Sequence, residues 1–244
     1  MVITLASRFR GPARSGNGGY TAGLLATELD APTVAVTLRQ PPPLDTALDM
    51  VTHRTGVQLR HGEAVVADAA PGELSRPAAG RVGYDEAVAA SEGYRGFDQH
   101  PFPGCFTCGP DRAPGDGLRL FPGPVQGTTE GLVDGLVAAP WIPAGAFADA
   151  SDAVPTAIVW AALDCPGGWS MDLIGRPMVL GRITATVSAT PSVGEKCVVV
   201  GHAHGLDGRK GFTDSALYGE DGRLLACAEH TWIAVDPGVF NTLR

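Results

Sequence analysis

One order of structural elements recurs in this sequence, and that repeat constrains the fold more than any other feature. In the second half, a helix over 154–164 precedes an alternating strand over 181–189, a proline at 191 and a meander of antiparallel strands. In the first half, a helix over 18–29 precedes a strand over 33–39, three prolines and a shorter meander. The repeat predicts an internal duplication, in which each half is an antiparallel sheet packed on one helix.

Local signals predict where several of these elements turn or end. The pairs Asp207-Gly208 and Asp221-Gly222 predict tight turns in the second meander, and His61-Gly62 predicts a hairpin in the first. Asp152 is placed to cap the second helix. The run Pro166-Gly-Gly168 is expected to end it.

These elements predict two units joined by a linker. The N-terminal unit covers 1–72 and the C-terminal unit covers 118–244. The linker, 73–117, is rich in glycine, proline and alanine and contains one short helical candidate over 84–91. We expect it to run outside the two units and wrap one onto the other.

The charge balance and hydropathy exclude some classes of partner. The chain has 26 acidic and 18 basic side chains and a net charge of -8, so it has no overall attraction for nucleic acid. It has no run of about 18 apolar residues, which a membrane-spanning helix needs, so no membrane partner is expected. The apolar stretch at its start is too short for a secretory signal, which predicts a cytoplasmic protein.

Two segments resemble known proteins. The run Asn17-Gly-Gly-Tyr-Thr-Ala-Gly-Leu-Leu-Ala26, followed by Val-Thr-Leu-Arg-Gln-Pro-Pro-Pro at 36–43, resembles the opening of the tandem hotdog thioesterases of the TesB-like type. Cys105-Phe-Thr-Cys-Gly-Pro110 with Gly117-Leu-Arg-Leu120 is similar to the start of many single hotdog thioesterases. The resemblance implies an α+β double hotdog, in which each unit wraps an antiparallel sheet around a central helix. It also implies an acyl thioester such as acyl-CoA as substrate, and no cofactor.

Thioester hydrolysis needs a base that activates water and donors that stabilise the oxyanion. Asn17, Gly18 and Gly19 begin the first helix, where backbone amides have no intrahelical partner, so they are candidate oxyanion donors. Asp164 lies in the second helix among apolar residues and is the candidate base. In hotdog pairs the helix start of one unit faces the acidic position of the other, which implies one composite site. A plain helix cap at Asn17 and a structural role for Asp164 stay open as alternatives.

The resemblance also exposes departures from the family pattern. TesB-like enzymes pair the helix acid with a hydroxyl residue on the next strand and a glutamine on the last strand. Here Thr184 is the nearest hydroxyl candidate and His230 occupies the glutamine position, so both are candidate catalytic residues, with a structural histidine as the alternative. The acyl pocket between the halves is expected to include Tyr20, Leu24 and Trp160.

A cysteine pair raises the question of a metal site. Cys105 and Cys108 have the spacing of half a zinc site, with His100 as a third ligand. A structural zinc ion usually takes four ligands, and no second cysteine pair follows at finger spacing. We therefore expect no stoichiometric metal.

The resemblance, together with the candidate base and oxyanion donors, thus implies hydrolysis of acyl thioesters. The alternative is a non-catalytic hotdog protein that binds an acyl chain or another apolar ligand. A hydratase is disfavoured because it would be expected to show a paired histidine and aspartate on its active loop, and none is found. The sequence leaves the oligomeric state open, including a homo-oligomer.

Overall fold

The structure, a computed structural model, describes residues 1–126, 135–149 and 152–240. Its helices are α1 (Gly18–Ala26), α2 (Tyr84–Glu92), α3 (Thr156–Trp169) and the single turn α4 (Pro237–Phe240). The strands up to residue 124 are β1 (Val2–Thr4), β2 (Thr33–Leu38), β3 (Ala47–His53), β4 (Gly56–His61), β5 (Ala64–Pro71) and β6 (Gly123–Pro124). The later strands are β7 (Leu136–Trp141), β8 (Met178–Val187), β9 (Cys197–Asp207), β10 (Lys210–Tyr218) and β11 (Leu224–Ala234).

These strands form a single antiparallel sheet of 11 strands in the order β1-β3-β4-β5-β2-β8-β11-β10-β9-β7-β6. Strands of the two halves meet in the middle, where β2 pairs with β8 in the register Val34↔Ala185. The expected large antiparallel sheet with few helices is confirmed. None of the described helices has the length and apolar character needed to cross a membrane.

The predicted tight turns are present. Gly208 has a φ of 52° between β9 and β10, and Gly222 has a φ of 77° between β10 and β11. Gly62, between β4 and β5, has a φ of 59°. These left-handed conformations suit glycine because a Cβ would clash there, which explains why the Asp-Gly and His-Gly pairs mark hairpins.

Helices α1 and α3 lie side by side on one face of the sheet, with α1 against β2, β4, β5 and β8 and α3 against β7 to β11. Two glycines one turn apart make the close approach possible. A Cβ at Gly19 would lie 2.5 Å from the Trp160 carbonyl oxygen, and a Cβ at Gly23 would lie 2.6 Å from the Ala157 Cα. The two helices therefore meet almost backbone to backbone, and the start of α1 is held against the middle of α3.

Two expectations about α3 were wrong. The helix continues through Pro166 to Trp169, and every residue from Ala157 to Trp169 is buried. Gly167 explains the continuation, because its missing side chain leaves room for the Thr213 Oγ1, only 2.6 Å from where a Cβ would stand. Packing thus outweighs the cost of an interior proline, about 3 kcal/mol. Asp152 does not cap the helix, since Pro155 holds the cap position without a side-chain hydrogen bond.

The same close packing gives a testable prediction at Gly201 of β9. A Cβ there would overlap the backbone of Pro166, which cannot rotate away. We expect Gly201→Ala to lower the free energy of unfolding by about 1–3 kcal/mol, measured by chemical denaturation. Gly80→Ala is the matched control, because no atom lies within 4 Å of its Cβ position, and it should change stability by less than about 0.5 kcal/mol. Equal stability of the two variants would contradict this account of the packing.

The segment between the halves was expected to lie outside the two units, but part of it is buried. Helix α2 covers the face of the sheet opposite α3, where Ala87 and Ala90 pack with Ala138, Val198 and Ala216. Residues 105–108, however, are buried on the α3 side, and the Thr107 hydroxyl donates to the Ala161 carbonyl at 2.9 Å. This stretch is part of the core because Phe106 and both cysteines fill the space beside the two helices.

Candidate functional site

The carboxylate of Asp164 lies where α3 meets the start of α1. The residue is 3% exposed. Its Oδ2 accepts hydrogen bonds from the Gly19 backbone amide at 2.9 Å and from the Asn17 Nδ2 at 3.0 Å. Its Oδ1 has no hydrogen-bond partner among the described residues. One oxygen is therefore anchored, while the other is buried without a hydrogen-bond partner among the described residues.

Asn17 organises the helix start around this carboxylate. Its Oδ1 accepts the Tyr20 backbone amide at 2.8 Å, which caps α1, while its Nδ2 donates to Asp164. The first amide of the helix, Gly18 N–H, has no acceptor among the described residues. Because Gly19 N–H is already bonded to Asp164, the Gly18 amide is the free donor at this site.

Burial decides the electrostatics of Asp164. Removal of the carboxylate from water raises its pKa to about 7, and negative charge on the nearby Cys105 sulfur acts in the same direction. The Gly19 amide and the Asn17 side chain oppose the shift, because both donate to the ionised form. Their two hydrogen bonds also set the orientation of the carboxylate.

A cavity of about 360 Å³ adjoins Asp164, which is within the usual range for small-molecule sites. Its walls come from the start of α1, the 100–108 segment, the second half of α3, and the strands β8 and β11. Residues that line it include Gly18, Trp169, Leu180, Gly181, Trp232 and Ile233. The cavity therefore lies where elements from both halves of the chain meet.

Some of the predicted site residues come together at this cavity. Asn17, Gly18 and Asp164 line it. Gly19 does not line it but donates its backbone amide to the Asp164 carboxylate. Tyr20 stacks on Phe9 with ring centroids 3.9 Å apart. Trp160 is buried against α1, and Leu24 is half-buried at the edge of the core. None of these last three is among the described residues that line the cavity.

Thr184 and His230 are also not among the described residues that line the cavity. Thr184 pairs with Ala35 and Glu229, and its methyl group lies near Gly72. His230 is packed beneath α3, with its Nδ1 3.2 Å from the Thr213 hydroxyl. Burial lowers its pKa to about 4, so the ring is neutral at physiological pH. The roles predicted for them in catalysis have no support from this placement.

Among the residues at the cavity that sequence reasoning did not place there is Cys165. Its Sγ lies 3.7 Å from the Cys105 Sγ, although the two residues are 60 positions apart. Cys105 in turn lies 3.8 Å from the Asn17 Nδ2. The available signal was that Cys165 directly follows the candidate base, on the same helical turn.

Structural comparison identifies the fold. The tesB protein of Mycobacterium avium subspecies paratuberculosis superposes with a TM-score of 0.60 and 13% identity, over 96% of this chain and 92% of the other. A protein assigned as a thioesterase II from Thermobifida fusca gives a TM-score of 0.61 and 14% identity, over 96% and 92%. A hotdog-fold protein of unknown function from Alicyclobacillus acidocaldarius gives 0.56 and 14%, over 97% and 93%. No protein-family model and no curated protein sequence matches the chain. The chain has the hotdog fold.

Proposed function

We propose, on the premise of the hotdog fold, that this chain hydrolyses acyl thioesters at the cavity beside Asp164. The observation that carries the proposal is the asymmetric environment of this one carboxylate. Oδ2 is fixed by donors from α1, while Oδ1 has no partner among the described residues at a cavity wall. A fixed carboxylate with one unpartnered oxygen beside a ligand-sized space can act as a general base when a water molecule reaches that oxygen.

The proposal includes a double hotdog, with units at 1–72 and 118–244 and a linker at 73–117. In support, α1 packs on the strands of the first half and α3 on those of the second, and β2 pairs with β8 at the junction. The carboxylate comes from one unit and its anchoring amides come from the other. The site is thus composite, and neither unit contains all of it.

The proposed reaction uses three groups of this chain. The thioester carbonyl oxygen lies towards the Gly18 amide, where the positive end of the α1 dipole stabilises the oxyanion. A water molecule attacks the carbonyl carbon and gives its proton to Asp164 Oδ1. The tetrahedral intermediate then breaks its carbon–sulfur bond, and the proton on Asp164 passes to the departing thiolate. The products are a carboxylic acid and a free thiol.

The cavity walls suit a substrate with an apolar acyl group. Leu173, Met178 and Trp232 supply apolar surface, whereas Arg209 supplies a positive charge. The apolar surface suits an acyl chain and the positive charge suits an anionic carrier, as in acyl-CoA or a similar thioester. Chain length is limited by the volume of about 360 Å³.

Activity on a panel of acyl-CoA thioesters tests the proposal. We expect the purified full chain to release free thiol, detected with a thiol-reactive dye, at rates well above the enzyme-free background. Short and medium acyl chains should be preferred because of the cavity volume. Binding of acyl-CoA by calorimetry without thiol release from any member of the panel would instead favour the non-catalytic binding protein.

A further inference from the structure

Three thiols converge beside the cavity. Cys105 and Cys108 come from the segment that precedes β6, and Cys165 comes from α3. All three are buried, and their sulfur atoms lie within 4.8 Å of one another. The sequence showed only the first two as a pair, and the fold adds the third.

A fourth donor lies next to this cluster. The Nε2 of His100 is 3.4 Å from the Cys108 Sγ. The imidazole ring packs against Trp169, with ring centroids 5.0 Å apart, so its position is restrained. Three cysteines and one histidine form one of the usual ligand sets of structural zinc. The three thiols lie within 4.8 Å of one another, and a shift of the His100 imidazole towards Cys105 and Cys165 would complete the set of four ligands.

Two of the observed spacings match those of a tetrahedral ion. Zn–S bonds of about 2.3 Å and Zn–N bonds of about 2.05 Å place two sulfurs about 3.8 Å apart and a sulfur and a nitrogen about 3.5 Å apart. The observed separations are 3.7 Å for Cys105 Sγ to Cys165 Sγ and 3.4 Å for Cys108 Sγ to His100 Nε2. A disulfide would need a separation of about 2.05 Å and would leave one of the three thiols unused.

We propose that Cys105, Cys108, Cys165 and His100 bind one Zn²⁺ ion. Binding releases the three thiol protons to solvent, and the resulting thiolates and the His100 Nε2 fill the four positions of the ion. All four residues line the cavity, which provides the path for the metal. The Asn17 Nδ2, 3.8 Å from the Cys105 Sγ, supplies a donor towards one thiolate.

Binding also changes the hydrogen bonding of His100. The His100 Nδ1 accepts the Phe102 backbone amide at 2.9 Å, which leaves the ring proton on Nε2. Coordination through Nε2 moves that proton to Nδ1, so the Phe102 N–H turns away. The ion then ties the 100–108 segment to α3 and holds one wall of the cavity in place.

Metal analysis of the full chain tests the proposal independently of hydrolysis. Protein produced with zinc in the medium and then dialysed should contain one zinc ion per chain by elemental analysis. Cys165→Ser should lower the zinc content at least several-fold. Cys227→Ser is the matched control and should keep full zinc, because Cys227 packs on the other face of the sheet. Full zinc retention in Cys165→Ser, or no zinc in the wild type, would overturn the site.

Cobalt provides a second readout that does not depend on the variants being stable. Co²⁺ added to chelator-treated wild type should give the strong visible bands of a tetrahedral ion and thiolate-to-cobalt charge transfer. Removal of zinc by a chelator should also lower the melting temperature, because metal binding contributes to folding. The weak spectrum of an octahedral Co²⁺ ion, with no charge transfer, would count against thiolate ligation whatever the hydrolysis assay shows.

Discussion

Asp164→Asn is expected to lower kcat for acyl-CoA hydrolysis by a factor of about 10² or more, the usual contribution of a general base. The amide keeps the shape of the side chain and still offers one oxygen to the Gly19 N–H and the Asn17 Nδ2. It cannot take a proton from water. Substrate binding should therefore change little, and the loss should appear in kcat rather than in the dissociation constant. Steady-state kinetics with calorimetric binding measures both.

The matched control for this change is Asp214→Asn. Asp214 is also a buried aspartate, but it lies on the face of the sheet away from α3, with a carboxylate oxygen 3.2 Å from the His204 Nε2. The control makes the same chemical change at a similar burial, and its kcat should stay within about twofold of wild type. If Asp164→Asn kept full activity, or if both variants lost activity equally, the base would have to be another group.

Gly19→Ala is expected to lower the free energy of unfolding by about 1–3 kcal/mol or more, and to reduce hydrolysis with it. The new methyl group would lie 2.5 Å from the Trp160 carbonyl oxygen and 2.6 Å from the Asp164 Cβ. Alanine gains roughly 1 kcal/mol over glycine from helix propensity, which is less than the cost of forcing two backbones apart. The separation also lengthens the hydrogen bond that anchors the carboxylate.

Gly18→Ala is the comparison variant for Gly19→Ala, because its new methyl group would crowd side chains rather than backbone. The three atoms nearest to its Cβ would belong to the side chains of Leu180 and Leu38, at 2.9–3.0 Å. These side chains can move, so the stability loss should be clearly smaller than for Gly19→Ala. Denaturation midpoints of the two variants give the comparison. If Gly18→Ala were less stable than Gly19→Ala, the contact between α1 and α3 at Gly19 would not be the most closely packed part of this region.

Elements set by local chemistry could be predicted from the sequence. The Asp-Gly turns required left-handed glycines, and strand alternation located β8, where Ile183 and Ala185 are buried as expected. The end of α3 could not be predicted in this way. Pro166 and two glycines are local stop signals, yet Thr213 and Trp232 approach from distant strands and occupy the space left by the missing side chains.

The same distinction between local chemistry and distant packing applies to the candidate site. Asn17, Gly18 and Asp164 could be proposed because a helix start and an acid in an apolar helix are chemical signals within short stretches. The thiol cluster could not, since Cys165 reaches Cys105 only through the packing of α3 on the 105–108 segment. The burial of His230 beside Thr213 could not be predicted either, because the surroundings of a strand residue depend on which helix covers that face of the sheet.

The bond between Asn17 and Asp164 spans 147 residues, and this separation bears on when the site forms during synthesis. The start of α1 leaves the ribosome early, but its carboxylate partner arrives only after about two thirds of the chain. The cavity wall at Trp232 and Ile233 comes later still. Contacts so distant in sequence form late in folding, because long loops must close first. The cavity beside Asp164 is therefore complete only after β11, the last of the described strands, has joined the sheet.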